Sequence, residues 1–127
     1  PVQGICPSGW HIPSHYEFTT LEREVCDSAT CATDFPYDMY TTGYLGTNES
    51  SKLRIGGSSG FEGQFPGFRL HNGSGFSGID TAGNIWSSSE GDSTVNAWRR
   101  FLQLGDNRVY RASITKLYGL AARCLKD

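Results

Sequence analysis

The sequence predicts an α+β fold, and three features of the 127-residue chain carry that prediction. A helix with a clear start signal lies near the N-terminus, a glycine-rich segment fills the middle, and strand-like alternation is concentrated in residues 85–127. A chain of this length is sufficient for one hydrophobic core and too short for two. We therefore expect residues 1–127 to form a single domain.

The N-terminal helix is predicted over His15–Val25. Ser14 is followed three residues later by Glu17, which is the capping-box pattern that marks a helix start. Spacings of three and four residues place one apolar set on a single face, towards the core: Phe18, Leu21 and Val25. The charged residues are expected to face water: Glu17, Glu22, Arg23 and Glu24.

The middle of the chain is predicted to consist of loops. Glycine and proline interrupt residues 32–59 so often that only short helical or extended pieces can form. Further glycines in residues 56–78 are expected to form turns around buried aromatic side chains: Phe61, Phe65, Phe68 and Phe76. A glycine-rich loop can bind phosphate, but the G-x-x-x-x-G-K-[ST] motif is missing here.

Three strands are predicted near the C-terminus, over Ala97–Leu104, Arg108–Ser113 and Tyr118–Leu125. Their alternation divides the side chains between two faces. The core set is Trp98, Leu102, Val109, Leu120 and Ala122. The outward set is Phe101, Gln103, Tyr110 and Ala112. Outward aromatic side chains on neighbouring strands make a candidate binding patch. The alternative is that they are isolated surface aromatics, which are common.

Four cysteines allow three disulfide pairings. We favour Cys6–Cys124 with Cys26–Cys31, because the first bond closes a loop that is worth roughly 4–5 kcal/mol in the chain-entropy model. Structural disulfides indicate an oxidising compartment and hence an extracellular or cell-surface location. A reactive thiol pair is the alternative. No metal is expected, since C-x4-C differs from zinc-site spacing and His11 and His15 lack further ligands.

Charge and hydropathy argue against a nucleic-acid partner and against a membrane span. The net charge of -2 gives no basic field, so no nucleic-acid partner is expected. No run of 18 apolar residues is present, so no membrane span is expected in this fragment. The first residues lack the features of a signal peptide, and we expect a secretion signal or anchor upstream of Pro1.

Several segments in fixed order carry a resemblance that spans nearly the whole chain: CPSGWHIPSHYEFTTLE, GTNESSKLRIGGSSGFEGQFPGFR, IWSSSE, NAWRR and YGLAARCLKD. They resemble the Fibrobacter succinogenes major paralogous domain, a bacterial family related to the C-type lectin fold and to its formylglycine-generating branch. The resemblance implies a C-type lectin-like domain with an N-terminal helix, a loop-rich middle and a twisted antiparallel sheet. Its first and last cysteines correspond to Cys6 and Cys124, whereas GLAARC departs from the usual GFSVRC.

Some members of that family are carried on exported or pilin-like proteins, and diversity-generating retroelements vary their C-terminal segment. The resemblance implies a framework formed by Trp98, Leu102, Val109, Arg111, Gly119 and Cys124. It also implies an interchangeable, ligand-binding set formed by Phe101, Gln103, Asp106, Arg108, Tyr110, Ser113, Ile114, Leu117 and Tyr118.

These observations lead to one expected function and one alternative. We expect an exported ligand-binding display module whose partner is a protein or a glycan on another cell or surface. The alternative is a structural or assembly head domain of a pilus or surface protein. No enzyme activity is expected, because the C-x4-C pair lies in the N-terminal part, whereas the formylglycine-generating enzymes carry theirs near the C-terminus. Calcium and other cofactors are not expected either, since the Glu-Pro-Asn and Trp-Asn-Asp motifs are missing.

Overall fold

A computed structural model describes residues 2–127, in which three short helices and eight strands form. The helices are α1 (His15–Val25), α2 (Cys31–Asp34) and α3 (Glu49–Leu53). The strands are β1 (Trp10–His11), β2 (Gly43–Leu45), β3 (Pro66–Arg69), β4 (Phe76–Ile79), β5 (Ala82–Glu90), β6 (Asn96–Gln103), β7 (Val109–Thr115) and β8 (Leu125–Lys126). The predicted α+β class is confirmed, and the middle of the chain holds only short elements, as expected. A relation to the C-type lectin fold stays a prediction.

Six strands form one sheet in the order β2-β7-β6-β5-β3-β4, and β1 pairs with β8 in a separate two-stranded sheet. The six-stranded sheet is mixed rather than wholly antiparallel, because β3 and β5 run parallel. The sequence predicts no strand over β5, although it is the longest one. Its serine run, residues 87–89, lacks the β-branched and aromatic residues that mark a strand.

Helix α1 has the predicted bounds and the predicted capping box. The Ser14 hydroxyl accepts a hydrogen bond from the Glu17 backbone N–H at 3.2 Å, and the Glu17 carboxylate accepts one from the Ser14 N–H at 2.7 Å. These reciprocal bonds satisfy backbone donors that a helix start otherwise leaves unpaired. The helix packs against β5 and β6, and Phe18 is buried as expected.

One face prediction in α1 is wrong. Glu22 was expected to face water, but only 1% of it is exposed. Residue 22 lies four positions after Phe18, so the helix turns it towards the sheet. There its carboxylate forms a salt bridge with the guanidinium of Arg100 on β6, which is also buried. A buried carboxylate needs such a partner, because an isolated buried charge is very costly.

Arg100 is the centre of a buried polar network between α1 and the sheet. Its guanidinium donates to the His15 carbonyl at 3.2 Å, to the Thr19 hydroxyl at 3.3 Å and to Nδ1 of His15 at 3.2 Å. Since arginine can only donate, Nδ1 of His15 is the acceptor. Burial, with the charge of Arg100, lowers the pKa of His15 to about 3. The imidazole is therefore neutral over the physiological range.

Arg111 on β7 lies directly opposite Arg100 and is also fully buried. Its guanidinium forms a salt bridge with Asp38 at 3.3 Å and donates to the carbonyls of Thr41 and Pro36 at 2.9 and 3.2 Å. Burial raises the pKa of Asp38, but hydrogen bonds from Thr41 and the charge of Arg111 outweigh it, so the pKa lies below its ordinary value. Two guanidinium groups thus share the inner face of the sheet, each with its own carboxylate.

The apolar core lies beside this network. Four buried side chains form its centre, with partly buried apolar residues around them: Phe35, Leu53, Leu102 and Val109. Trp98 is buried as predicted. Among the phenylalanines expected to be buried in the glycine-rich segment, Phe61, Phe65 and Phe68 are half-buried, whereas Phe76 is exposed.

The predicted third C-terminal strand, Tyr118–Leu125, is largely wrong. Only its last residue is in a strand, β8, which pairs with β1 rather than with β7. The preceding residues run along the sheet and form single bridges, from Gly119 to Arg69 and from Ala121 to Ile85. Both residues of this segment that were expected to face the core differ, since Ala122 is exposed and Leu120 is half-buried. The alternation of small and apolar residues here does not reflect continuous strand pairing, so it does not predict which side chains face the core.

Disulfide bonds join Cys6 to Cys124 and Cys26 to Cys31, which is the pairing expected from the sequence. The first bond connects the segment before β1 to the segment before β8, so it reinforces the two-stranded sheet. The second closes a short loop just after α1. No helix in residues 2–127 has the length and the apolar surface required to cross a bilayer.

The buried side chain of His11 connects α1 to Asp127. His11 contacts Asp127 through Nδ1 at 2.6 Å and Glu17 through Nε2 at 2.9 Å. A ring that meets a carboxylate at both nitrogens is best satisfied as an imidazolium. The hydrogen bonds that His11 donates to Asp127 and Glu17 accordingly raise the pKa of His11 above its ordinary value of 6.5.

We predict that Glu22→Ala lowers the free energy of unfolding by about 3–5 kcal/mol, because it leaves the buried charge of Arg100 without a partner. The matched control is Glu24→Ala, at an exposed position of the same helix, which should change stability by less than about 0.5 kcal/mol. Urea unfolding followed by circular dichroism measures both. Equal losses in the two variants would contradict the assignment of a buried ion pair.

We also predict a pH-dependent contribution from His11. The folded-state pKa is raised, so the stabilisation is complete below about pH 6.5, the ordinary histidine pKa, and is lost as the pH rises through the folded-state value. The stability difference between the native protein and His11→Gln should therefore shrink from pH 6 to pH 9. His71→Gln, at an exposed histidine, is the control. A difference that grows with pH would contradict the assignment of a charged His11 hydrogen-bonded to Asp127 and Glu17.

Candidate functional site

The face of the sheet opposite the buried arginines, here called the outer face, carries a row of large side chains from three strands. Side chains alternate along β6 and β7, so every second residue of each strand faces outward. Phe101 lies directly opposite Tyr110, and Tyr110 lies opposite Tyr44 on β2. The row consists of Tyr44, Arg99, Phe101, Gln103 and Tyr110.

The aromatic rings of the outer face contact one another edge to face. The ring centroid of Tyr110 lies 4.8 Å from that of Tyr44 and 6.3 Å from that of Phe101. The Tyr44 hydroxyl donates to the Gln103 side-chain carbonyl at 3.0 Å. Edge-to-face pairs of this kind hold rings in defined orientations. The row is therefore a rigid surface that is partly open to solvent.

The turn between β6 and β7 borders this row. The Arg108 guanidinium binds both carboxylate oxygens of Asp106, at 3.1 and 2.8 Å, and lies 4.7 Å from the ring centroid of Tyr44. Hydrogen bonds from the side chain and the backbone of Arg108 lower the pKa of Asp106 to about 2. The turn thus adds a fixed pair of opposite charges at one edge of the aromatic row.

A cavity of about 240 Å³ opens on the same side of the sheet, at its other end. We call it the Arg99 cavity. Aromatic and aliphatic side chains dominate its lining, with one cation and one amide among them. The lining residues are Phe68, Asn84, Arg99, Phe101, Ile114, Tyr118 and Leu120. Phe101 belongs both to the cavity and to the aromatic row, so the two form one continuous surface.

Arg99 is held in the cavity by neutral contacts. Its Nη1 donates to the Asn84 side-chain carbonyl, and its Cζ lies 5.3 Å from the ring centroids of both Phe101 and Tyr110. Its Nε is buried and has no hydrogen-bond partner within residues 2–127. Burial lowers the pKa of Arg99 below the ordinary arginine value, yet arginine stays charged in proteins.

The structure brings together most of the sequence-predicted set. Phe101, Gln103 and Tyr110 lie on the outer face, and Asp106 and Arg108 form the adjoining turn. Ile114 and Tyr118 line the Arg99 cavity. Leu117 is exposed, and its carbonyl accepts a hydrogen bond from Arg69.

Two predicted residues do not fit this surface, Ser113 from the ligand-binding set and Ala112 from the outward set. Ser113 lies on the other side of β7, where its hydroxyl donates to Asp92 at 3.0 Å. Ala112 faces outward as predicted, but only 8% of it is exposed. It lies opposite Arg99, and its methyl group is much shorter than the side chains around it.

Five residues of the surface were not part of the predicted set: Tyr44, Phe68, Asn84, Arg99 and Leu120. Arg99 carried a usable signal, since it is two positions before Phe101 and alternation places it on the same face. Tyr44 and Phe68 reach the surface through pairing with strands distant in sequence, β7 and β5. Nothing local in the chain indicates that pairing.

A second cavity of about 310 Å³ lies between α1 and the C-terminal segment. Phe18, Leu21, Phe61 and Arg123 contribute to its walls, and Arg123 lies 4.7 Å from the ring centroid of Phe61. None of the predicted ligand-binding residues lines it. Within residues 2–127, no group of three or more His, Cys, Asp or Glu side chains is placed to hold a metal ion, and each cysteine is disulfide-bonded.

A family model described as the Fibrobacter succinogenes major domain matches residues 2–126. No curated protein and no solved structure matches the chain significantly.

Proposed function

The chain belongs to the Fibrobacter succinogenes major domain family, and we propose that it is an exported ligand-binding module that presents the outer face and the Arg99 cavity to its partner. The partner is a protein or a glycan on another cell or surface. The proposed activity is binding without catalysis. The observation that carries the proposal is the continuous row Tyr44, Tyr110, Phe101 and Arg99, which joins a rigid aromatic surface to a cavity.

The residue types of this row are those that dominate binding energy in protein interfaces. Tyrosine and arginine are enriched among hot spots, and rigid aromatic side chains lose little conformational entropy on binding. The edge-to-face contacts and the Tyr44–Gln103 hydrogen bond already order these groups. Preorganisation of this kind lowers the entropic cost of association.

The outer face is also suited to variation between copies of the domain. The buried arginines, their carboxylates and the core lie on the inner face and do not use the outer side chains. Exposed and half-buried positions tolerate substitution better than positions in a buried network. We infer that the outer face is a changeable contact surface on a fixed frame, and that positions 101, 103, 108 and 110 set its specificity.

The disulfide bonds support export and a stable frame. Disulfide bonds persist mainly in oxidising compartments, and Cys6–Cys124 and Cys26–Cys31 account for all the cysteines in the described chain. A disulfide that closes a loop as long as the one between Cys6 and Cys124 reduces the entropy of the unfolded state strongly. Such a frame withstands substitutions on its surface.

We predict that the double variant Phe101→Ala/Tyr110→Ala loses binding by at least about tenfold while it still unfolds cooperatively, because hot-spot aromatics each contribute 2 kcal/mol or more. The measurement is binding of the fluorescently labelled domain to a glycan array and to intact bacterial cells, with a thermal melt in parallel. Ile5→Ala, at an exposed residue of the N-terminal segment, is the matched control and should bind as the native protein does.

Unchanged binding by the double variant would contradict the proposal, as would an equal loss in Ile5→Ala. If the native domain binds neither glycans nor cells, the alternative of a structural or assembly head is favoured instead.

A further inference from the structure

The Arg99 cavity combines a cation with apolar walls, and this combination specifies a ligand. Its lining is mainly aromatic and aliphatic: Phe68, Phe101, Ile114, Tyr118 and Leu120. The only charged side chain in it is Arg99, and the only other strongly polar one is the amide of Asn84. Sites that are mostly apolar, with a few placed polar groups, are typical of small-molecule binding.

Arg99 has no carboxylate partner, in contrast to the arginines near it on β6, on β7 and in the turn between them. Arg100, Arg108 and Arg111 each form a salt bridge with a carboxylate. Within residues 2–127, Arg99 forms none and contacts only the amide oxygen of Asn84 and two aromatic rings. Burying a charge costs free energy unless a partner compensates for it. An unpaired cation retained at a cavity is therefore a feature that an anionic ligand would complete.

The accessible part of the guanidinium indicates the kind of anion. Nη1 donates to Asn84 and Nε is buried without a hydrogen-bond partner in residues 2–127, so Nη2 is the group that a ligand can reach. An N–H donor of a cation forms its strongest hydrogen bond with a charged oxygen, such as that of a carboxylate. A single cation in apolar surroundings offsets one negative charge, so a monoanion fits better than a dianionic phosphate.

The volume and the walls select the rest of the ligand. A cavity of about 240 Å³ is smaller than the roughly 300–1,000 Å³ typical of sites for drug-sized molecules. It accommodates one ring or one amino-acid residue. Phe68, Phe101 and Tyr118 offer aromatic surfaces for such a body. The ring centroid of Tyr118 lies 5.0 Å from that of His71, so the two rings are in contact.

We propose that the Arg99 cavity binds a carboxylate attached to a compact apolar body, with Arg99 as its charged contact. This inference rests on the proposed ligand-binding function and names the ligand class. The same chemistry is presented by a free aromatic acid and by the C-terminal residue of a peptide. Phe101 joins the cavity to the aromatic row, so a peptide bound through its terminus would continue across the outer face.

Calorimetric titration with matched acid and amide pairs tests the proposal. The probes are 3-phenylpropionate against 3-phenylpropanamide, and a short peptide ending in phenylalanine with a free carboxylate against the same peptide amidated. We expect the acid to bind at least about tenfold more tightly than its amide, because the neutral amide cannot form the charge-assisted hydrogen bond with Arg99. Preference for the small acid or for the peptide identifies the source of the ligand.

Three variants complete the experiment. Arg99→Met should abolish the preference for the acid, and Arg99→Lys should retain part of it because the charge remains but the planar guanidinium, with its fixed donor direction, does not. Arg123→Met, at the second cavity, should behave as the native protein does.

Equal affinity for acid and amide, an acid preference that survives Arg99→Met, or no binding of either acid at millimolar concentration would overturn the proposal. None of these results would affect the cell and glycan binding measured with Phe101→Ala/Tyr110→Ala, so failure of this inference is distinguishable from failure of the proposed function.

Discussion

Two guanidinium groups, those of Arg100 and Arg111, lie opposite each other on the buried side of β6 and β7. Like charges repel at such positions, and each group also loses its hydration on burial. The arrangement is stable because each cation has a carboxylate from outside the sheet, Glu22 from α1 and Asp38 from the loop before β2. These bonds fix where the helix and the loop lie on the sheet.

The same network determines what the other side of the sheet can do. Because side chains alternate along a strand, commitment of Arg100 and Leu102 to the interior turns Arg99, Phe101 and Gln103 outward. The guanidinium groups of Arg100 and Arg111 have carboxylate partners that come from outside the sheet, so their pairing does not depend on the outer residues. The outer face can then carry an unpaired cation and half-buried aromatic rings, which a stability-optimised surface would lack. Strain or unsatisfied groups of this kind are characteristic of functional sites.

The sequence predicts those features that depend on short-range patterns. The capping box and the apolar spacing locate α1 correctly because both signals lie within a few residues of Ser14. Alternation identifies β6 and β7 and places Phe101 and Tyr110 outward. The division of α1 into an apolar and a charged face fails for Glu22, because its charge suggested solvent and the compensating Arg100 lies 78 residues away. Alternation fails over Tyr118–Leu125, where the chain crosses the sheet by single bridges rather than by continuous strand pairing.

The candidate site could be predicted in part for the same reason. Seven of the nine expected residues lie on the outer face, in the adjoining turn or in the Arg99 cavity, since they follow from the alternation and turn of two consecutive strands. The cavity itself could not be predicted, because Phe68 and Asn84 come from β3 and β5 and meet Arg99 only in the folded sheet. The diversification of this segment and the relation to C-type lectins stay predictions.

We infer that two adjacent arginines of β6 serve different purposes: Arg100 stabilises the fold, and Arg99 binds the ligand. The most direct test is the free energy of unfolding of Arg100→Met and Arg99→Met, measured by urea denaturation. Arg100→Met should lose about 3–5 kcal/mol, because Glu22 is left as an unpaired buried charge. Arg99→Met should stay within about 1 kcal/mol of the native protein, because an uncompensated charge is removed. Equal losses in the two variants would contradict the division of the sheet into a structural face and a binding face.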